Sequence, residues 1–257
     1  MNPALVFALA WNTVRELIRS KLLYNVVIFA ALLLGSSLFV AQLTVGEWRR
    51  IILDQGLSAA ELGGGLIAVI VGVNLLAGEI ERKTIFPTLA KPVTRGTFVL
   101  GRYLGLALVL LANALLMLGL LAILVRMAGE TIDATVLQAM FLIFVELVLL
   151  AALAMLFGSF STPMLAAGFS LALFLIGHLV GDLRAFGERS KSEPAKRAAA
   201  FFYRLLPDLE LLNLKPLAAD RLKATAGYVA TSAAYGLAYA AVLLLLSAVI
   251  FSRRDLK

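Results

Sequence analysis

Six apolar runs divide the chain, at 22–45, 62–78, 98–125, 136–157, 164–181 and 228–251, and polar or breaker-rich segments separate them. At 1.5 Å per helical residue, the first reaches about 36 Å, enough to cross ~30 Å of hydrocarbon with some tilt. Ahead of it, residues 1–21 place Trp11, Val14, Ile18 and then Leu22 at intervals of three or four, with Asn12, Arg15, Glu16 and Arg19 on the other side. That pattern predicts an amphipathic helix lying in the membrane interface, with Trp11, Arg15 and Arg19 at its boundary. The expected fold is therefore an all-α polytopic membrane protein: a single domain of six transmembrane helices behind an interfacial helix. No cleavable signal peptide is expected, because the charges come late and the apolar run is too long.

The connections are unequal. Residues 79–97 are charged, MAGETIDAT joins the third and fourth runs, and only GSFSTP joins the fourth and fifth. In the longest gap, 182–227, Phe201, Phe202, Leu205, Leu206, Leu209 and Leu212 repeat at helical spacing, while Pro207 and Pro216 break the pattern. Short interfacial or re-entrant helices are expected there, with a small folded cap as the alternative.

Composition excludes several classes. The set AVILMFWYC makes up 61% of the residues and charged residues only 15%, which rules out a soluble enzyme, a disordered tail and a DNA-binding domain. The net charge of +7 then signals contact with anionic membrane lipid, not nucleic acid. With no cysteine and one histidine, disulfides, thiolate metal sites and an HExxH zinc helix are excluded. No GxxxxGK[ST] occurs, so ATP has no phosphate-cradling loop in this sequence. The Gly63-Gly64-Gly65 run lacks the spacing of a dinucleotide fingerprint and predicts tight helix packing.

Arg15, Arg19 and Lys21 outnumber Arg49 and Arg50 across the first run, which predicts a cytoplasmic N-terminus. Six spans return the C-terminus to the same side and leave 182–227 outside. Over the whole chain the basic residues divide almost evenly between the two sides, and a re-entrant 164–181 would shift them strongly inward. Six spans are retained because that stretch contains no charge.

The segment after the second run reads Gly78-Glu79-Ile80-Glu81-Arg82-Lys83-Thr84-Ile85-Phe86-Pro87-Thr88-Leu89-Ala90-Lys91-Pro92-Val93-Thr94-Arg95, then Gly101-Arg102-Tyr103. It resembles ABC-2-type transporter permeases: an E-x-E end to the second span, a Gly-Thr-Leu-like opening of a short helix, a Pro-Val-Ser-Arg-like turn and a Gly-Lys-Tyr-like entry to the third span. Lys83 stands in place of the usual glycine, and Pro87 interrupts the short helix. The resemblance implies that 79–97 is a cytoplasmic coupling helix docking on a separate ATPase, with Glu79, Glu81, Thr84, Ile85, Phe86, Leu89, Pro92 and Arg95 as its contact residues. It also implies an exporter in the inner membrane with two ATPase copies that bind ATP and Mg, a second permease copy in a homodimer, and no cofactor or catalysis in this chain. The residues agree physically: Ile85, Phe86 and Leu89 form an apolar knob between flanking charges.

Few polar groups lie inside the runs. An ionised Glu146 in FLIFVELVLL would cost at least ~2.5 kcal/mol, so it should face protein or a water-filled cavity, as a structural, protonated carboxyl or as a substrate-lining group. Asn113 is expected at a similar depth, within hydrogen-bonding reach of Glu146. His178 is expected at the outer interface, and Asn74 as a bond between helices. A membrane enzyme would need a polar constellation, and Glu146 and His178 are expected at different depths. An ion-coupled secondary transporter would need charged or discontinuous spans.

Overall fold

The computed structural model describes residues 3–42, 47–81, 94–181 and 192–254. Among them every regular element is helical. We number them α1 (Pro3–Ile18), α2 (Lys21–Gln42), α3 (Trp48–Val73), α4 (Arg95–Met127), α5 (Ala134–Phe160), α6 (Pro163–His178), α7 (Glu193–Leu205), α8 (Lys215–Ala219) and α9 (Ala226–Arg253). A π-helical turn, Asn74–Gly78, and a last turn, Glu79–Glu81, extend α3 without a break.

Among the described residues, four helices are long and apolar enough to cross a membrane: Trp48–Glu81, Arg95–Met127, Ala134–Phe160 and Ala226–Arg253. The first and fifth runs correspond to α2, of 22 residues, and α6, of 16. At about 24 Å, α6 is shorter than a hydrocarbon core. Its regular turns end at His178, and after Leu179 the residues Val180 and Gly181 are again helical.

The largest departure from the expected boundaries is in α3, which starts fourteen residues before the run at 62–78. Arg49, Arg50, Asp54 and Glu61 interrupt the apolarity of that stretch, yet Ile52, Leu53, Leu57 and Ala60 are buried within it. The helix tolerates the charges because two of its arginines are paired: Arg49 Nη2 lies 2.5 Å from Asp133 Oδ2, and Arg50 Nε 3.1 Å from Asp220 Oδ1.

At the centre, α3 and α5 run in the same direction, and α5 is buried almost continuously from Leu142 to Met155. Gly64 permits their close approach, since a β-carbon there would collide with the Leu147 side chain. The expectation of tight packing at the glycine run therefore holds at this position. Along α4, Gly105 does the same for α1: an added β-carbon would stand 2.7 Å from the Ala10 carbonyl oxygen. Consequently α1 buries Ala10, Thr13 and Leu17, and leaves Trp11 and Ile18 half exposed, with the Arg15 guanidinium 5.6 Å from the Trp11 ring. Arg19 lies in the turn just beyond α1.

Within the long gap, residues 206–222 form a packed cap on the end of the bundle where α3, α5 and α9 begin. Leu209, Leu212, Leu214 and Ala218 are buried in the main core. The Leu209 N–H donates to the Gly177 carbonyl at 3.0 Å, the Tyr228 hydroxyl to that of Leu211 at 3.0 Å, and the Thr135 hydroxyl to that of Leu222 at 3.0 Å. The preceding α7 leaves Phe201 and Phe202 exposed.

Candidate functional site

Beneath the cap, four helices bring four ionisable groups together. Glu61 on α3 and Glu146 on α5 are 4% and 1% exposed. His178, the last residue of α6, places Nε2 2.9 Å from Glu61 Oε1 and 3.3 Å from Glu146 Oε1. Lys215, which opens α8, pairs its ammonium with Glu61 Oε2. The other imidazole nitrogen, Nδ1, lies 3.0 Å from the Phe174 carbonyl oxygen, and the Phe174 ring meets the imidazole edge-on at 5.0 Å. A carbonyl can only accept, so Nδ1 carries the proton of this bond.

His178 does not lie at a different depth from Glu146, as the sequence suggested. Only Ser161 and Thr162 separate α5 from α6, with Glu146 fifteen residues before Ser161 and His178 sixteen after Thr162. Both therefore rise about 22–24 Å from the same turn. Because α6 stops there, the cap can descend to the end of the helix and deliver Lys215.

The Glu146–Asn113 hydrogen bond does not form. Asn113 is buried at that level, since α4 packs antiparallel beside α3 and α5, but neither of its amide atoms has a hydrogen-bond partner. Asn74 is not a bond between helices either. Its amide donates to the Ile70 carbonyl at 2.7 Å within its own helix, at the entry to the π-helical turn.

The opposite end of the bundle holds a second charged group. Arg102 on α4 reaches Glu16 Oε2 of α1 at 2.7 Å, ion-pairs with Glu79 and donates to the Thr13 hydroxyl at 3.2 Å. Arg95, one turn before α4 enters the core, donates to the carbonyls of Phe251 at 2.9 Å and Arg254 at 2.7 Å, tying down the last turn of α9. Such a cation suits a helix C-terminus, where carbonyls lack intrahelical donors. Of the residues assigned to ATPase contact, Glu79 and Arg95 thus bind this chain's own helices, and Glu81 is exposed. Thr84, Ile85, Phe86, Leu89 and Pro92 lie outside the described residues.

Sequence reasoning singled out Glu146 and His178 but missed Glu61 and Lys215. Glu61 was detectable as a lone charge in the apolar helical stretch 57–73. Nothing local marks Lys215, which stands between Leu214 and Pro216 in a polar-looking gap.

Long apolar helices crossed by a buried ion cluster define a multi-pass helical membrane protein. The model of the ABC-2 family transporter proteins matches residues 7–256, and the chain belongs to that family, whose members are membrane-spanning permeases of ABC-type transporters. No curated protein matches it significantly.

Proposed function

We propose that this chain is the permease subunit of an ABC exporter in the inner membrane, working as a homodimer with two copies of a separate ATPase that bind ATP and Mg. All six apolar helices cross the bilayer, both termini face the cytoplasm, and the 206–222 cap lies on the outer side. The observation that carries this reading is the end of α3. Its final turn is clamped by Arg102 against α1 and α4, and Glu81 is exposed where the chain leaves for the segment bearing Ile85, Phe86 and Leu89. A push on that segment is thereby delivered to three helices at once. At the other end, the Lys215–Glu61 pair joins the cap to the same helix and is the natural contact to break when an outward path opens.

An apolar groove of about 690 Å³ between α5, α6 and α9, lined by Leu153, Phe157, Leu173, Pro207, Tyr235 and Leu246, favours a hydrophobic cargo. Coexpression with the partner ATPase tests the reading. Phe86→Ala and Leu89→Ala should each weaken copurification and cargo-stimulated ATP hydrolysis, the loss of a buried anchor commonly costing about 2 kcal/mol or more. Wild-type levels of both, in a normally inserted protein, would refute the docking assignment.

The buried charges also fit an ion-coupled carrier. Cargo uptake driven by an imposed ion gradient, in vesicles without ATP, would favour that second reading.

A further inference from the structure

We propose that Glu61, Glu146 and His178 form a binding site for one divalent transition-metal ion of the zinc type, held between α3, α5 and α6. The inference stands on the geometry of these side chains and does not depend on the transport reading.

One imidazole nitrogen and two carboxylate oxygens are offered, all within 4.8 Å of one another. Donor atoms about 2.1 Å from a common ion stand roughly 3.0–3.4 Å apart in octahedral or tetrahedral coordination. The two separations from His178 Nε2, 2.9 and 3.3 Å, match such polyhedron edges. Glu146 Oε1 has no partner of acceptable hydrogen-bond geometry, although Glu146 is almost completely buried. Donors converging on a shared centre lie off each other's lone-pair axes, and a central cation satisfies them together.

The surroundings agree. With its proton on Nδ1 and bonded to the Phe174 carbonyl, a neutral His178 points a lone pair from Nε2 towards both carboxylates. A backbone carbonyl on the remote nitrogen is the usual support of a metal-binding histidine. When Nε2 is unprotonated, its lone pair and the carboxylates repel unless a metal ion takes the proton's place among them. Lys215 takes Glu61 Oε2 and leaves Oε1 directed at His178, so it orients this carboxylate from outside the site. Glu61 and Glu146 bring two carboxylates to a divalent ion, and the Lys215 ammonium stands beside Glu61. Mixed oxygen and nitrogen donors without sulfur suit zinc or its neighbours Mn, Fe and Co.

The test uses the full chain in lipid nanodiscs, purified without a polyhistidine tag, stripped with chelator and titrated with zinc. About one zinc per chain is expected, with at least tenfold weaker binding in His178→Gln and Glu146→Gln and unchanged binding in the surface control Glu47→Gln. X-ray absorption adds a readout that needs no variant. The chain has one histidine and no cysteine, so one imidazole and no sulfur in the zinc shell identifies His178. The proposal is overturned if folded wild-type protein retains no zinc, if the bound zinc lacks an imidazole, or if folded His178→Gln binds as well as wild type.

Discussion

The two charged regions of the bundle use the same chemistry in different solvents. Arg102, Glu79 and Glu16 form their latch at one end of the helices, and the Glu16 side chain is 55% exposed. In the cluster of Glu61, Glu146, His178 and Lys215, both carboxylates are buried within the bundle. Water can replace a lost partner at Glu16 but not at Glu146. An ion pair at the rim is worth about 0–1 kcal/mol, whereas removing one partner of a buried pair costs about 3–5 kcal/mol because a desolvated charge is left behind. Only the Glu16 contact of the latch is a rim pair, since the Arg102 and Glu79 side chains are 8% and 12% exposed, so the contrast in cost is between Glu16 and the buried carboxylates.

The most disruptive single change should be Glu146→Lys. It sets a second ammonium beside that of Lys215 within the buried cluster, and should prevent accumulation of folded protein. Glu146→Gln should fold, since an amide keeps the volume and carries no charge. The readout is monodisperse protein recovered from membranes, and recovery of the Lys variant at wild-type yield would mean that the cluster opens to water.

Next comes Lys215→Met, which leaves Glu61 buried without its ammonium. A loss of about 3–5 kcal/mol, reduced because Lys215 is itself 17% exposed, is expected in denaturant unfolding. Adding Glu61→Gln should restore most of it, and a double variant no better than the single would show that the pair is not the stabilising unit.

Packing beside the latch is the third target. Gly105→Leu should cost on the order of 1–3 kcal/mol by pushing the α1 backbone off α4, and should raise protease cleavage within α1 without disturbing α5 or α9.

The smallest effect belongs to the rim. Glu16→Gln should change stability by less than about 1 kcal/mol and lose that effect in high salt, while Glu79→Gln, whose side chain is 12% exposed, should cost more. Equal costs for the two would remove the contrast between rim and interior.

The helices were legible wherever apolarity was unbroken, so 98–125, 136–157 and 228–251 each lie inside an observed helix. Residues 48–61 were not legible, because hydropathy counts Arg49 and Glu61 as exposed unless their partners are known. Those partners, Asp133 and Lys215, stand 84 and 154 residues away and meet them only through the packed fold. The level shared by Glu146 and His178 could have been found by counting outward from Ser161 and Thr162. The approach of Lys215 could not, since it depends on α6 ending early and the cap filling the space.

The proposed transport reading requires the two regions to face opposite sides of the membrane, which accessibility labelling measures. The absence of cysteine makes the measurement clean: Ser192→Cys near the cap and Ser252→Cys beside the latch, both at exposed positions, labelled in intact cells with a membrane-impermeant maleimide. Labelling at 192 alone, with 252 reacting only after permeabilisation, is the predicted result. Labelling at 252 alone in intact cells would place the latch outside and contradict the account.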